Sequence, residues 1–320
     1  MPHGYATMSV ASILAETAHR MPDNVALIFN GQEIAYRDLW DQTRSYAGAL
    51  RDLGVGPGDK VALMIPNVPD FPRAYYGVLA LGAVVVPIHA LLKATEIEYV
   101  LRDSGSKVLI CAAPLLTEGA KGAALAGVDT LSVLVPDDLV EQLPFPRLED
   151  LAASAEPVAT YVPRHPIDTA TILYTSGTTG KPKGAEGCHF SLVEQVNVLL
   201  NGTLDLEPTD RILGCLPLFH TFGQTCVMNM GFRAGAAVVL VPKFDPATAL
   251  QLLNAHQCTV MTGVPTMYIA LLEAAKTNPE RPPLRYGMSG GAAIPVAVIE
   301  RMKEVYGIDV HEGYALTETS

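Results

Sequence analysis

The chain has 320 residues, 49% hydrophobic and 17% charged, which is enough for two α/β units and too apolar for a disordered chain. Its formal net charge of -11 excludes the nonspecific nucleic-acid binding that rests on clustered lysine and arginine. Five cysteines (Cys111, Cys188, Cys215, Cys226, Cys258) show no CxxC spacing, so zinc is not expected, and an odd count without a secretory signal fits a cytoplasmic protein.

Residues 1–7 read as a loose tail. Apolar spacing predicts a helix over 9–20 ended by Pro22, a strand over 25–29, a tight turn at Asn30-Gly31 into 33–36, and a helix over 36–53 capped by Gly54. Gly54, Gly56 and Gly58 lie between a helix and the strand over 60–65, the reverse of the order a dinucleotide loop needs, so they read as a turn. Helix 71–81, strand 83–88, helix 96–103 and strand 107–111 follow, with Thr95 and Glu98 as a capping box. The apolar run 74–92 approaches membrane-spanning length, but Gly82, Pro87 and His89 break it, and no integral membrane segment is expected.

Residues 112–168 are the least regular, with a strand over 133–135 and a surface linker over 141–164, so a boundary is placed between a first α/β subdomain, 1–168, and a second, 169–320. The second part predicts a strand over 170–173, then helices over 190–201, 222–233, 246–256, 265–275 and 295–306 with strands near 211–215, 235–242, 260, 284–288 and 308–311. The stretches at 82–87 and 235–242 resemble copies of one unit. This repeated strand-helix order predicts an α/β fold of parallel sheets with helices on both faces.

Residues 174–184 read Tyr-Thr-Ser-Gly-Thr-Thr-Gly-Lys-Pro-Lys-Gly, placed after a strand and, by this reading, before a helix. Gly177, Gly180 and Gly184 free the backbone so that successive amides can turn toward an anion. The hydroxyls of Thr175, Ser176, Thr178 and Thr179 and the ammonium groups of Lys181 and Lys183 add donors and charge, which makes the stretch a phosphate cradle. It is not a Walker loop, because Pro182 stands where a Ser or Thr would hold magnesium.

The string closely resembles the phosphate loop of adenylate-forming enzymes, the superfamily of acyl- and aryl-CoA synthetases, adenylation domains and luciferases. Three further strings strengthen the resemblance: Leu-Pro-Leu-Phe-His at 216–220, Ser-Gly-Gly-Ala-Ala-Ile-Pro at 289–295 and Glu-Gly-Tyr-Ala-Leu-Thr-Glu-Thr at 312–319. It implies that His220 lies beside the acyl carboxylate, that Gly290, Gly291 and Ala292 border adenine, and that Glu312, Gly313 and Tyr314 continue the nucleotide site, with Tyr314 packed on the ring. It further implies that Thr317 contacts the α-phosphate and Glu318 holds Mg²⁺, with Thr175 and Lys183 also at the reacting phosphates. Ala315, where the family usually has Gly, departs from the pattern, as does Gly187-Cys188, since Cys is a poor helix cap.

The resemblance is greatest to fatty-acyl-CoA synthetases and covers their N-terminal portion, so the intact protein is expected to continue into a mobile C-terminal domain with a catalytic lysine. The expected activity is ATP-dependent activation of a carboxylic acid, most simply a fatty acid, to acyl-adenylate and then acyl-CoA, with ATP, Mg²⁺ and CoA required. Candidate acyl-pocket residues are His220, Phe222, Gln224, Val227, Met228, Thr262 and Val264, mostly apolar. Loading of a carrier protein, or nucleotide binding without turnover, are the alternative expectations, and an incomplete active-site rim favours self-association.

Overall fold

The computed structural model describes residues 7–175, 180–202, 204–278 and 280–319. After a helix at Ser12–Arg20 comes a hairpin, β1 (Val25–Phe29) and β2 (Gln32–Ala35), turned by Asn30 and Gly31, both at positive φ. Helix Tyr36–Asp52 leads into β3 (Lys60–Met64), helix Asp70–Ala80, β4 (Val84–Pro87), helix Ala94–Ser104, β5 (Ser106–Ala112), helix Leu116–Ala126 and β6 (Asp129–Val133). A second hairpin, β7 (Thr169–Thr175) and β8 (Lys183–Cys188), opens the rest. Helix His189–Gly202, β9 (Arg211–Gly214), a helical stretch over 221–234, β10 (Ala237–Leu240), helix Pro246–Ala255 and β11 (Val260–Gly263) follow. Helix Pro265–Ala274, β12 (Tyr286–Ser289), helix Val296–Tyr306 and β13 (Asp309–Glu312) complete the order.

Two mixed sheets result. One runs β6-β5-β3-β4-β7-β8, the other β13-β12-β11-β9-β10-β1-β2. All neighbours are parallel except the two hairpins. The sheets share one plan: each has a four-strand parallel block, a fifth parallel strand beside it and that strand's hairpin mate at the edge, with β13 added to the second. The hairpins are exchanged, because β1-β2 completes the later sheet against β10 and β7-β8 completes the earlier sheet against β4. Division of the chain at 168 and division by sheet are therefore different divisions.

Three apolar cores separate the layers. The largest lies between the sheets, where Tyr36, Leu39, Phe71, Tyr75, Tyr76 and Phe232 of the middle helices meet Leu63, Val85 and Ile110 of one sheet and Ile212, Val238 and Val260 of the other. The outer core of the first sheet takes Ile97, Val100, Leu101 and Ala123, and that of the second takes Leu250, Leu253, Tyr268, Leu271 and Met302. Strands covered on both faces read as unbroken apolar runs, as β4 does. Among the described residues no helix is long and apolar enough to cross a membrane.

Several expectations need correction. The strand-loop-helix order around the phosphate cradle is replaced by strand-loop-strand, because residues 183–188 pair antiparallel with β7 before the helix starts. Their Lys-Gly-Ala-Glu-Gly-Cys sequence carries no strand pattern, and the glycines are needed for contact: a Cβ on Gly184 would lie 2.8 Å from Ile172 Cγ2, and one on Gly187 2.8 Å from Thr171 Oγ1. Cys188 does act at the next helix's start, its Sγ 3.4 Å from the Ser191 amide. Instead of Thr95 and Glu98, the Glu96 carboxylate accepts from the Lys93 amide at 2.8 Å, because the helix begins earlier.

The strand near 133 is β6, ending at Val133. Residues 141–164 are not merely a surface linker, since Leu148 is fully buried in helix Leu148–Ser154 and Val162 N donates to Ala80 O at 2.8 Å. Helix Leu116–Ala126 is hidden in the sequence because Gly119 and Gly122 argue against a helix by propensity. Contact demands them, since a Cβ would sit 2.5 Å from Cys111 Sγ at the first and 2.6 Å from Ile97 Cβ at the second.

Candidate active site

Parallel strands leave their C-terminal ends on one edge, where unpaired amides and loop side chains collect. Here the ends of β9, β12 and β13 in the second sheet face the β7-β8 hairpin of the first. Small-molecule sites are clefts of about 300–1,000 Å³, and the one between them measures about 560 Å³. Its lining includes Thr175, Lys183, His220, Phe222, Gly290, Gly291, Gly313, Tyr314, Thr317 and Glu318. Four separate motifs thus meet in one place.

One end is polar. Thr175 Oγ1 donates to Glu318 Oε1 at 3.2 Å, and Thr175 stands opposite Lys183 in the hairpin register. Lys183 has no carboxylate partner among the described residues, so its charge is free for an anionic ligand. One carboxylate with a hydroxyl beside it suits Mg²⁺, which keeps several waters and shares phosphate oxygens. No group of three or more His, Cys, Asp or Glu arranged for a metal occurs among the described residues, so a protein cage is not what would hold it. Ser176, Gly177, Thr178 and Thr179 lie outside the described residues, while Gly180 takes φ +101° and Lys181 Nζ lies 5.9 Å from the Tyr99 ring centroid.

His220 stands where β9 has ended. Its Nδ1 accepts from the Phe222 amide at 3.2 Å, so the neutral ring carries its proton on Nε2 and can donate to a carboxylate. Although part of its surface meets solvent, loss of water around the ring and then the nearby His89 imidazole lower its pKa. Phe222 packs on the glycine turn, where a Cβ on Gly290 would lie 3.0 Å from Phe222 Cζ. Gly291 takes φ +79°, a conformation that suits glycine. Glu312 Oε1 accepts from Ile294 N at 3.0 Å, tying the end of β13 to this turn, and Tyr314 is 89% exposed with its ring available for stacking.

Of the expected acyl-pocket residues, His220 and Phe222 line the cleft. Gln224, Val227, Met228 and Thr262 are buried and outside the lining, and Val264 is partly buried, its Cγ1 3.5 Å from where a Gly291 Cβ would stand. Ala292 is exposed and outside the lining. The wall instead includes Gln195 and Leu199 of helix His189–Gly202 together with Thr225, Cys226 and Met288. Thr225 Oγ1 donates to Gln195 Oε1 at 3.1 Å. Gln195 and Leu199 share a helix face four residues apart, the sole signal in the sequence that they act together. Residues 224–229 form a π turn, which widens the helix where it meets the cleft.

Residues 14–320 match the AMP-binding enzyme family, and the chain belongs to these adenylate-forming enzymes. It is 32% identical over 342 residues to a long-chain-fatty-acid–CoA ligase of Bacillus subtilis (strain 168), a match covering 98% of this chain and 60% of that protein. The anthranilate CoA ligase AuaEII in complex with anthranoyl-AMP superposes with a TM-score of 0.91 at 26% identity, over 98% of this chain and 60% of that one. The N-terminal domain of FACL13 from Mycobacterium tuberculosis gives 0.86 at 30% identity, over 97% of this chain and 76% of that one. The chain thus spans about 60% of the length of the curated relatives it matches.

Proposed function

We propose that the full protein is an AMP-forming acid–CoA ligase and that this chain carries its ATP and acid sites. The observation that carries the proposal is the single cleft whose polar end (Thr175, Lys183, Thr317, Glu318) adjoins His220 and an apolar wall of Leu199, Phe222, Cys226 and Met288. A carboxylate oxygen attacks the α-phosphorus of ATP, the α–β phosphoanhydride breaks and pyrophosphate leaves. The CoA thiolate then attacks the acyl carbonyl and expels AMP. Both reactants of the first step are anions, so fixed positive charge and donors must offset the charge that builds up. Lys183 and the Thr175 and Thr317 hydroxyls serve that end, Nε2–H of His220 orients the acid, and Tyr314 offers its face to adenine. Mg²⁺ held by Glu318 would neutralise phosphate charge.

The apolar wall, with no lone charge opposite the polar end, supports an acid whose tail is apolar, fatty or aryl. The bound anthranoyl-AMP of one relative and the fatty-acid name of another keep both kinds in view. ATP/pyrophosphate exchange with a panel of fatty and aromatic acids tests the proposal. Acid-dependent exchange that Lys183→Ala and Glu318→Ala each lower by about a hundredfold or more is expected. Exchange that ignores either substitution, or ATP binding that ignores both, would sink the assignment of the polar end.

A further inference from the structure

Strand β9 ends at Gly214, and the next six residues must carry the chain out of the sheet and aim the His220 ring into the cleft. Beyond a strand end the ladder no longer supplies partners, so buried main-chain groups need them from elsewhere. One side chain supplies three. Asn67, in the loop between β3 and helix Asp70–Ala80, is 4% exposed. Its Nδ2 donates to Gly214 O at 3.1 Å and to Leu216 O at 2.7 Å, while its Oδ1 accepts from Leu218 N at 2.9 Å. Both amide hydrogens and the carbonyl are used, and the opposite orientation of the amide would face its oxygen to two carbonyls.

From this clamp the chain has little freedom before the imidazole. His220 N donates to Pro217 O at 3.1 Å, Gln224 N donates to His220 O at 3.0 Å, and the Phe222 amide fixes Nδ1. The loop also folds back so closely that a Cβ on Gly223 would lie 2.2 Å from Pro217 O. The loop geometry is therefore anchored at one end by Asn67 and closed at the other by the start of the next helix. Gly214 O also accepts from Val241 N at 3.1 Å, so removing the amide leaves Leu216 O and Leu218 N buried without this partner, and the relaxation that restores their hydrogen bonds shifts residues 216–220.

We infer that Asn67, in the loop that leaves the first sheet after β3, is a positioning residue for His220: its amide holds the main chain at 214–218 and so sets where the imidazole meets the acid. The consequence for the acid rests on the function proposed above; the link between Asn67 and the ring does not. It joins the two sheets across the middle of the molecule, from a loop that, among the described residues, hydrogen-bonds to neither the phosphate hairpin nor the glycine turn.

The test uses this chain with isotope-labelled histidine, the His220 signal being assigned from His220→Gln. Asn67→Ala deletes the clamp; Asn67→Asp keeps its size but sets an oxygen against two carbonyls. Expected in both are a moved Cε1–H signal and titration midpoint for His220, with the signals of His256 and His311 unchanged. In ATP/pyrophosphate exchange the KM for the acid rises about tenfold with that for ATP held, and Asn67→Ala adds nothing to the acid KM of His220→Ala. A His220 signal and midpoint unchanged in both variants would overturn the inference. So would equal displacement of every histidine signal, which would make Asn67 a residue of the fold at large. Absence of exchange in the unsubstituted chain would count against adenylation by this chain on its own, and a selective His220 shift would still support the positioning link.

Discussion

His189 shows how one side chain ties the N-terminal segment to the second hairpin. It is fully buried, Nδ1 accepts from the Val10 amide at 3.1 Å, and burial first, then the Arg164 charge, lower its pKa from 6.5 to about 4. A proton on Nδ1 would face a donor, so the folded chain resists protonation that the unfolded chain accepts. Between pH 6.5 and about 4 the unfolded state holds more protons, and stability falls as pH falls, by at most about 3 kcal/mol from this group. Urea midpoints of the wild type against His189→Asn, which keeps an acceptor but not the titration, are expected to diverge through that window. Parallel curves would remove His189 as the cause.

The β7-β8 hairpin owes its place to the helix beside it as well as to its own pairing. From helix Ala94–Ser104, Tyr99 donates its hydroxyl to Pro182 O at 2.9 Å, and Asp103 accepts from the Tyr174 hydroxyl at 2.7 Å. Lys181 lies over the Tyr99 ring. Both ends of the phosphate loop are thus braced by a helix of the first sheet's outer layer. Tyr99→Phe deletes one hydrogen bond of about 1 kcal/mol, so ATP affinity, read by calorimetry, is expected to weaken by up to about fivefold. Tyr99→Ala, which also removes the ring beneath Lys181, should weaken it further. Equal affinity in all three proteins would show that the loop holds its shape without the brace.

At the scale of the whole molecule, the exchanged hairpins make each sheet depend on both parts of the chain. Ala26, Leu27 and Ile28 of β1 are at most 1% exposed, packed beside β10, and Ala170 and Thr171 of β7 are fully buried beside β4. Cutting at 168 would strip the later sheet of two strands and the earlier sheet of another two, and open the shared middle core to water. Segments 1–168 and 169–320 produced separately are expected to lack a cooperative thermal transition, and to regain it when produced together. Two independent cooperative transitions would show that the sequence boundary is also a folding boundary.

The sequence by itself determined the α/β class, most elements and the four motifs that meet in the cleft, because burial periodicity and loop chemistry are local properties of the chain. Residues 174–184 announce anion binding through their own glycines, hydroxyls and lysines, and the helices predicted over 36–53 and 71–81 are legible in the spacing of their apolar side chains and run over Tyr36–Asp52 and Asp70–Ala80. Tertiary structure decided what depends on a distant neighbour. β8 exists because β7 lies beside it, and Gly122 sits in a helix because Ile97 stands too close for a Cβ. Gln195 and Leu199 line a wall set by how their helix crosses the 221–234 stretch, and Asn67 acquires its partners only when residues about 150 positions away fold against it. Hydrogen bonds and close approaches of this kind are set by three-dimensional proximity, which no local pattern encodes.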